Sequence, residues 1–472
     1  MKPLFVDLDG TLLLNDSVQE VFWRLLLQHP WLACIALWQL ITQGKTAFKH
    51  FMAQHVLLHT AKWPLNPEVV EYLKKQKASG RTIILLTASH ESIAKKIVTP
   101  LNIFDQIVGS TATLNFKGQE KLAWIRKHFP EQAFDYAGNG PDDYILWQHC
   151  DTAIVVNPSA RVCQRAKKIN ANMVLIQHTP SNFTLWQRSI RLHQYSKNLL
   201  IFVPLLLSGQ FAVPHLLGNA LLAFCAFSCA ASAGYILNDL LDLDYDRTHP
   251  YKKLRPLACG HINFSTGCFA LLALMTLATV LSIPLGLLFA STLVIYLLVS
   301  LFYSFFFKKI AILDVFVLSA LYLLRIAAGS VATMIAISPW LFAFALFLFL
   351  SLAYLKRFIE IEKLDLADAI TGRHYTKKDS LLVKISGITL GFLSVLIFAL
   401  YLSAKAAIVI YRYPNGLWLI ALILLYWINH LWYAATHQKI HDDPIHYALL
   451  DPVSLFLAAA MLIILLTCQG FL

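Results

Sequence analysis

Charged residues are scarce in this chain, and paired cysteine motifs are absent. Only 14% of its 472 residues are charged, whereas 57% are hydrophobic. This composition excludes a protein that is soluble along its whole length, and the length predicts more than one domain. None of the eight cysteines belongs to a CxxC pair, and several lie in apolar runs. We therefore expect reduced, buried thiols rather than a disulfide framework.

Long hydrophobic runs are missing from about the first 190 residues but dominate the remainder. In the first part, apolar residues alternate with charged ones, as in a globular α/β domain. From Leu199 onward they form uninterrupted runs of about 20 residues, the length that spans a bilayer. We expect nine spanning helices, the first of them short, near residues 199–214, 217–238, 265–282, 285–307, 313–335, 339–355, 382–404, 415–434 and 451–471.

Acidic residues are outnumbered, with 27 Asp and Glu against 39 Lys and Arg and a net charge of +12. The cations crowd the loops after the even-numbered spans, whereas the opposite loops hold only Lys405 and Arg412. Since cytoplasmic loops are enriched in Lys and Arg, we expect the cation-rich side and the N-terminal domain to be cytoplasmic, and the C-terminus to be outside. The pattern favours a multi-pass protein of a bacterial inner membrane with anionic substrates, and it argues against a nucleic-acid partner.

Residues 1–185 are predicted to form one Rossmann-like α/β domain, followed by a membrane domain over 186–472. Short buried strands are expected at 3–6, 82–86 and 153–156, and the helical patterns between them predict a parallel sheet. An insertion over about 15–77 is predicted to be a helical cap. Its apolar run from Trp31 to Trp38 is too short to span a bilayer. The cap either packs on itself or touches a lipid surface or the membrane domain.

Two carboxylates, Asp7 and Asp9, end the first predicted strand, and the alternation of a strand aims both the same way. An aspartate can attack phosphorus and form an acyl-phosphate. A second acid can then protonate the leaving alcohol. Mg²⁺ screens the attacking carboxylate from the phosphate. The pair therefore predicts phosphoryl chemistry.

The partners that such chemistry needs follow in order along the chain: Thr87 at the end of the second strand, Lys121, and the segment Tyr136–Asp143. This set resembles the haloacid dehalogenase superfamily over residues 1–180. The resemblance implies a phosphatase with Asp7 as nucleophile and Asp9 as acid/base, with phosphate bound by Thr87 and Lys121. It implies Mg²⁺ held by Asp7, Asp9, Asn139 and Asp143.

One position departs from that family's pattern, because Gly138-Asn139 stands where Gly-Asp is usual. The alternative to an active phosphatase is a decayed domain with a purely structural role. Since all the other roles are filled, activity is the interpretation that the residues favour.

A second acidic motif closes the second span. Asn238, Asp242 and Asp246 recur every four residues, and Asp239 lies beside them. If the helix continues, they form one acidic stripe at its end. Stacked carboxylates repel one another unless a cation binds, and oxygen ligands favour Mg²⁺, which also reaches for substrate phosphates.

This NDxxDxxxD motif and its RxHPxKxxRP continuation resemble the UbiA superfamily, over roughly residues 188–472. The resemblance implies an all-α membrane bundle that binds a lipid substrate, with a diphosphate held by Mg²⁺ over Asp239, Asp242 and Asp246. Lys356-Arg357 with Glu360 is similar to the decaprenyl-phosphate phosphoribosyltransferase branch. That branch implies polyprenyl phosphate and phosphoribosyl pyrophosphate as substrates.

Such highly anionic substrates need cationic and polar contacts as well as a metal. The candidate substrate-binding residues in the membrane domain are Lys197, Asn238, Lys252, Arg255, Tyr303, Lys308, Arg325, Lys356, Arg357 and Glu360. For each basic residue, an alternative role is setting topology or binding lipid headgroups. Asp314 and Arg325 fall inside predicted spans, where charges are costly and either function or pair with each other.

The sequence thus predicts transfer of 5-phosphoribosyl to a polyprenyl phosphate, with the soluble domain dephosphorylating the lipid product. A first alternative is prenyl transfer from a prenyl diphosphate to an aromatic or other small acceptor. A second is a non-enzymatic lipid transporter or scaffold, since intramembrane charges occur in transporters too. A transporter, however, has no need for the acidic metal motif.

Overall fold

A computed structural model describes residues 2–56, 63–177, 182–249, 252–363, 374–403, 411–440 and 443–471. Lys405 and Pro250, which the sequence interpretation used, lie outside the described residues. The chain divides into two compact units, Met1–Ile190 with Ile236–Ala270, and Arg191–Tyr235 with Leu271–Leu472. The predicted domain boundary at residue 185 stays a prediction.

The first unit contains a six-stranded, fully parallel sheet with strand order β3-β2-β1-β4-β5-β6. Its short central strand is buried throughout, and Leu4 pairs with Ile83 on one side and Asp135 on the other. The parallel sheet is as predicted, although β3, β4 and β6 were not foreseen. The strands are β1 (Leu4–Val6), β2 (Ile83–His90), β3 (Gln106–Ser110), β4 (Asp135–Gly138), β5 (Thr152–Val156) and β6 (Met173–Ile176).

Helices cover the strand connections and the insertion after β1. In the insertion, Val21, Leu25, Ala36 and Met52 are fully buried, so the cap helices α1 to α3 pack on the core. The helices up to residue 189 are α1 (Ser17–Gln28), α2 (Pro30–Thr42), α3 (Lys45–His55), α4 (Pro67–Ala78), α5 (Glu91–Val98), α6 (Gln119–His128), α7 (Tyr144–His149), α8 (Ala160–Ile169) and α9 (Asn182–Ser189).

The described secondary-structure elements after residue 189 are all helical. Its helices are α10 (Val203–Leu207), α11 (Pro214–Leu241), α12 (Leu243–Thr248), α13 (Phe264–Ser282), α14 (Leu287–Phe305), α15 (Leu313–Thr333), α16 (Pro339–Glu362), α17 (Ser380–Ser403), α18 (Leu417–Thr436), α19 (Pro444–Ala448) and α20 (Pro452–Gln469). Within the described residues, eight helices are long and apolar enough to cross a membrane.

The first of the nine predicted spans, 199–214, is not confirmed. There the chain forms a 3₁₀ helix over Leu192–Phe202 and then the five-residue helix α10. Pro204 lacks an amide hydrogen, and Gly209 at φ +70° departs from helical geometry. A sequence count of apolar residues does not register these interruptions.

The outward surfaces of the long helices are apolar. Phe269, Leu287, Leu288 and Phe456 each expose well over half of their side chains. Apolar patches of this size on a water-soluble protein would drive association, whereas lipid solvates them. The exposed faces therefore agree with membrane crossing.

Gly329 in α15 lies close to the backbone of another segment of the second unit. A Cβ built at this position would lie 1.9 Å from the carbonyl oxygen of Ile201, in the 3₁₀ helix before α10. We expect Gly329→Ala to lower the free energy of unfolding by about 1–3 kcal/mol, because the backbone must shift to admit the methyl group. Thermal unfolding of the detergent-solubilised protein measures the effect.

Gly218 in α11 is the matched control, since a Cβ there meets nothing within 4 Å. Gly218→Ala should be neutral or slightly stabilising, because alanine favours a helix over glycine. Equal unfolding midpoints for the two variants would contradict the packing of α15 against the 3₁₀ segment.

Candidate active sites

The nucleophile candidate Asp7 lies at the carboxyl end of β1 and is held by one cation. Lys121 Nζ donates to Asp7 Oδ1 at 2.7 Å and to the Tyr136 hydroxyl at 3.0 Å. Lys121 is buried, so this ammonium is the local counter-charge. Thr87 is buried near the end of the neighbouring strand β2, where its Oγ1 accepts from the Ser89 amide at 3.0 Å.

Asp9 is held by neutral hydrogen-bond donors, whereas Asp7 is held by a cation. Its Oδ1 accepts from the Ser17 amide at 2.7 Å, and its Oδ2 accepts from Ser89 Oγ at 2.6 Å. Burial, reinforced by the charge of Asp16, raises the pKa of Asp9. A raised pKa suits a group that must donate a proton. Neither Ser17 nor Ser89 was given a role from the sequence, although Ser89 lies in the same motif as Thr87.

Asp143 is buried at the end of the short 3₁₀ helix Pro141–Asp143, which follows β4. It accepts from the amides of Asn139 and Gly140 at 2.9 and 3.1 Å, and from the Tyr136 hydroxyl at 2.9 Å. Burial and the charge of Asp7 raise the pKa of Asp143 to about 6. Two buried carboxylates that oppose each other's ionisation are the setting that a cation relieves.

Asn139 comes close to the loop that follows Asp9. A Cβ at Gly10 would lie 2.0 Å from Asn139 Nδ2, so only glycine fits beside this amide. The side-chain oxygen of Asn139 accepts from Thr11 Oγ1 at 3.4 Å. An oxygen donor set of Asp7, Asp143 and Asn139 fits Mg²⁺, which is the ion that this fold position implies.

The second acidic motif spans the junction of α11 and α12. Helical hydrogen bonds continue across it, from the Asp242 amide to Asn238 O at 2.9 Å and from the Asp246 amide to Asp242 O at 2.8 Å. Asp239 and Asp246 are buried, whereas Asn238 and Asp242 are half-buried. The predicted acidic stripe therefore forms, with a slight break at Asp242.

Arg255 bridges two members of this stripe. Its Nη1 donates to Asp239 Oδ1 at 3.0 Å and to Asp246 Oδ2 at 2.5 Å. Lys252 Nζ lies 4.0 Å from the other oxygen of Asp246 and packs over the ring of Tyr245. That Asp246 oxygen is buried without a hydrogen-bond donor.

The stripe fits Mg²⁺ by its chemistry, since its ligand atoms would be oxygens and one buried oxygen, Asp246 Oδ1, receives no hydrogen bond. Among the residues that the structure describes, no three acidic, imidazole or thiol side chains form a preformed metal site. An ion there would complete its shell with water and substrate oxygens, as Mg²⁺ commonly does. The metal-ligand assignments in both units stay predictions.

The second unit holds a buried ion pair between Asp314 and Arg357. Both side chains are fully buried, and Arg357 Nε lies 2.5 Å from Asp314 Oδ2. Arg357 also donates to the Tyr303 hydroxyl at 3.0 Å and pairs with Glu360, while Tyr375 donates to Asp314 at 2.7 Å. The intramembrane acid thus pairs with Arg357 and not with Arg325.

Arg325 is satisfied by neutral groups. It donates to Asn198 Oδ1 at 2.9 Å, to the Tyr296 hydroxyl at 3.1 Å and to the Leu321 carbonyl at 2.5 Å. Its guanidinium also lies over the ring of Phe227, at 5.5 Å. A cation held on dipoles and rings keeps its charge available to an incoming anion. Lys308, half-buried in the turn Phe307–Lys309, lies at the end of α14.

Asp443 gathers two of the predicted substrate-binding lysines. Lys197 Nζ lies 2.6 Å and Lys356 Nζ 3.4 Å from its Oδ2. Burial alone would raise the pKa of Asp443, but the two ammonium groups hold this pKa well below its usual range. Asp443 was not predicted from the sequence. Its place in the HDDP segment before the last predicted span was the one feature that pointed to a functional role.

Comparison with known proteins bears on both units. Residues 199–467, more than half of the chain, match the UbiA prenyltransferase family. The chain belongs to that family. Residues 4–146 match the haloacid dehalogenase-like hydrolases. The protein is therefore a UbiA-type membrane protein that also carries a haloacid dehalogenase-like domain, and both are enzyme families.

Three relatives are informative. The uncharacterized protein y4nM of Sinorhizobium fredii is 34% identical over 97% of this chain and 89% of its own length. Nodulation protein NoeC of Azorhizobium caulinodans is 33% identical over 61% of this chain and 95% of its own. Decaprenyl-phosphate phosphoribosyltransferase of Mycobacterium tuberculosis is 34% identical over 37% of this chain and 59% of its own.

Substitution of Asp443 tests whether Lys197 and Lys356 bind an anion. We expect Asp443→Asn to lower the free energy of unfolding by about 1–3 kcal/mol, because two lysines lose their counter-charge. Added pyrophosphate should restore part of the loss, since an anion can replace the carboxylate. Thermal unfolding with and without pyrophosphate measures both effects.

Asp451 supplies the control, because it caps α20 and pairs with His430 instead of a lysine. Asp451→Asn should also destabilise the protein, but without any added benefit from pyrophosphate. An equal pyrophosphate response in both variants would argue against anion binding by Lys197 and Lys356.

Proposed function

We propose that the UbiA-type region, residues 199–467, transfers a 5-phosphoribosyl group from phosphoribosyl pyrophosphate to a polyprenyl phosphate. The observation that carries the proposal is the pairing of Lys197 and Lys356 on one carboxylate, Asp443. Two lysines that lie close to the same carboxylate suit a substrate that carries several phosphates. The partial match to decaprenyl-phosphate phosphoribosyltransferase supports the same chemistry.

In the proposed reaction, an oxygen of the lipid phosphate attacks the anomeric carbon of the ribose. The bond from that carbon to the diphosphate breaks, and the diphosphate leaves with both electrons. Asp239, Asp242 and Asp246 would hold Mg²⁺, which supplies charge neutralisation on the leaving group. Lys252 and Arg255 stabilise the same developing charge.

The basic residues of the second unit would divide the remaining anions between them. Lys197 and Lys356 are released from Asp443 toward a phosphate, and Arg325 keeps its charge available on neutral partners. Arg357 is already neutralised by Asp314 and Glu360, so its proposed role is to orient the hydroxyl of Tyr303. Charge stabilisation is then the main catalytic contribution.

The haloacid dehalogenase-like domain would act on the product of this transfer. A phosphoribosyl lipid carries a 5-phosphate ester, and phosphatases of this type hydrolyse such alcohol esters. Asp7 would attack that phosphate to form an acyl-phosphate, and Asp9 would protonate the ribose 5-oxygen as it leaves. Water would then hydrolyse the acyl-phosphate, which releases inorganic phosphate and restores Asp7. Fusion raises the effective concentration of the second site to about millimolar. The end product is a polyprenyl-phosphoryl ribose.

The same arrangement implies a location. Phosphoribosyl pyrophosphate is a water-soluble cytoplasmic metabolite, so the cation-rich loops and the phosphatase domain are proposed to face the cytoplasm. Prenyl transfer to a small acceptor is the main alternative, because the matched family is described as one of prenyltransferases.

A donor assay decides between these reactions. Purified protein given Mg²⁺, polyprenyl phosphate and labelled phosphoribosyl pyrophosphate should form a labelled lipid, detected by mass spectrometry. Asp242→Ala should abolish that product, because the metal site loses a ligand, while hydrolysis of p-nitrophenyl phosphate continues. Prenylation of 4-hydroxybenzoate from a prenyl diphosphate, with no use of the sugar donor, would refute the proposed branch.

The order of the two steps is tested by the reciprocal variant. In Asp7→Asn the nucleophile is lost, so the 5-phosphorylated lipid should accumulate without slower formation. Mass spectrometry of the lipids separates the two products by one phosphate group. If the variant still yields the same dephosphorylated lipid as the wild type in a purified system, the phosphatase domain acts on another substrate.

A further inference from the structure

One face of the cap helix α1 carries three polar residues that are buried: Ser17, Glu20 and Arg24. Their spacing of three and four residues places them in a row along the helix. Buried charges are unfavourable unless they are paired. The partners of this row identify what α1 contacts within the first unit.

Glu20 is fully buried between two arginines. Arg247 approaches it in a fork, with Nη1 2.5 Å from Glu20 Oε1 and Nη2 2.9 Å from Oε2. Arg24 donates to Glu20 Oε1 at 2.8 Å. Although burial alone would raise the pKa of Glu20, Arg247 holds it below its ordinary value. The bidentate geometry fixes both the position and the direction of the Arg247 guanidinium.

Other α1 residues contact the acidic segment N-terminal to Arg247. Arg24 Nη2 lies 2.7 Å from Asp244 Oδ1, and Trp23 Nε1 donates to the Leu240 carbonyl at 3.1 Å. The ring of Trp23 also packs on Phe264, with centroids 4.7 Å apart. Helix α1 therefore contacts the acidic segment at Leu240 and Asp244 and the residue that follows its last aspartate, Arg247.

Arg247 directly follows Asp246, a proposed metal ligand. Besides its bond to Glu20, Arg247 donates from Nε to the Ala258 carbonyl at 2.9 Å. It thus ties α12 to the segment that contains Arg255, the residue that bridges Asp239 and Asp246. Without Glu20, the Arg247 guanidinium would keep its bond to the Ala258 carbonyl but lose the carboxylate that fixes its direction, one residue after Asp246.

We propose that Glu20, a residue of the phosphatase cap, is a positioning residue for the transferase: by fixing Arg247 it holds the segment that carries Asp246 in the geometry that would bind Mg²⁺ and diphosphate. The inference rests on the proposed transferase function. It makes the phosphatase domain a structural component of the metal-binding segment, separate from its own hydrolytic activity. At the start of α1, the backbone amide of Ser17 donates to Asp9 and links this helix to the phosphatase site.

The test uses the full-length protein with Glu20→Gln, which keeps the shape and removes the charge. We expect the KM for phosphoribosyl pyrophosphate and the half-saturating Mg²⁺ concentration to rise at least about tenfold, as for other groups that orient metal ligands. The kcat should change less than the KM, and hydrolysis of p-nitrophenyl phosphate should stay close to wild type. Glu20→Asp, which retains the charge, should recover part of the loss.

A second readout does not depend on catalysis. In an Asp7→Asn background, which removes a ligand of the phosphatase metal site, Mn²⁺ binding in the presence of pyrophosphate is titrated by electron paramagnetic resonance. Glu20→Gln should weaken this binding, and Trp23→Phe should weaken it less. Glu71→Gln is the matched control, because Glu71 pairs with Lys75 on an exposed surface of the same domain.

Unchanged Mn²⁺ binding and unchanged KM in Glu20→Gln would overturn the inference. So would a parallel fall of both enzymatic activities, since that indicates general loss of folding. A wild-type protein that makes no ribosylated lipid but whose Mn²⁺ binding depends on Glu20 would refute the proposed substrates and retain the positioning role.

Discussion

Carboxylates that water hardly reaches determine the arrangement of both units. An ionised carboxyl group in a low-dielectric interior must have a counter-charge or several donors, because its desolvation costs far more than one hydrogen bond returns. Asp7 has Lys121, Asp314 has Arg357, Asp443 has two lysines, and Glu20 has two arginines. Apart from Glu20–Arg24, which lies within α1, each of these pairs connects segments that are far apart in the sequence. The fold around each site follows from where those pairs can form.

The pairs differ in what they leave available for chemistry. Arg357 is enclosed by Asp314, Glu360 and Tyr303, so its charge is spent on structure. Lys197 and Lys356 share a single carboxylate, which leaves the cluster with excess positive charge. Excess charge attracts anions and neutralised charge does not. The geometry therefore separates the lysines as substrate-binding candidates from Arg357 as a supporting residue, a distinction that the sequence could not make.

Residues close together in the chain were predictable, and residues joined by tertiary pairing were not. The DxD strand end, the acidic stripe and the strands at β1, β2 and β5 follow from local periodicity and motif spacing. The roles of Asp443 and Glu20 were not predicted, because their partners Lys197 and Arg247 are 246 and 227 residues away in the sequence. The unconfirmed first span has a different cause, since a hydropathy count ignores Pro204 and Gly209. Site roles remain predictions where only the motif supports them.

The cap helices also bear on the substrate of the phosphatase domain. Their inner side chains complete the core, yet α2 leaves Trp31, Trp38 and Ile41 exposed, with 63%, 67% and 79% of each accessible. An apolar, aromatic surface of this kind costs stability in water and is satisfied by an acyl or prenyl environment. The two interpretations of the cap are thus compatible, because different faces of the same helices serve them. A phosphatase whose substrate is a small soluble ester gains nothing from such a face, whereas one that takes a lipid-linked ester must work at a membrane surface. The exposed face of α2 therefore favours the lipid product of the transferase over a soluble metabolite as its substrate.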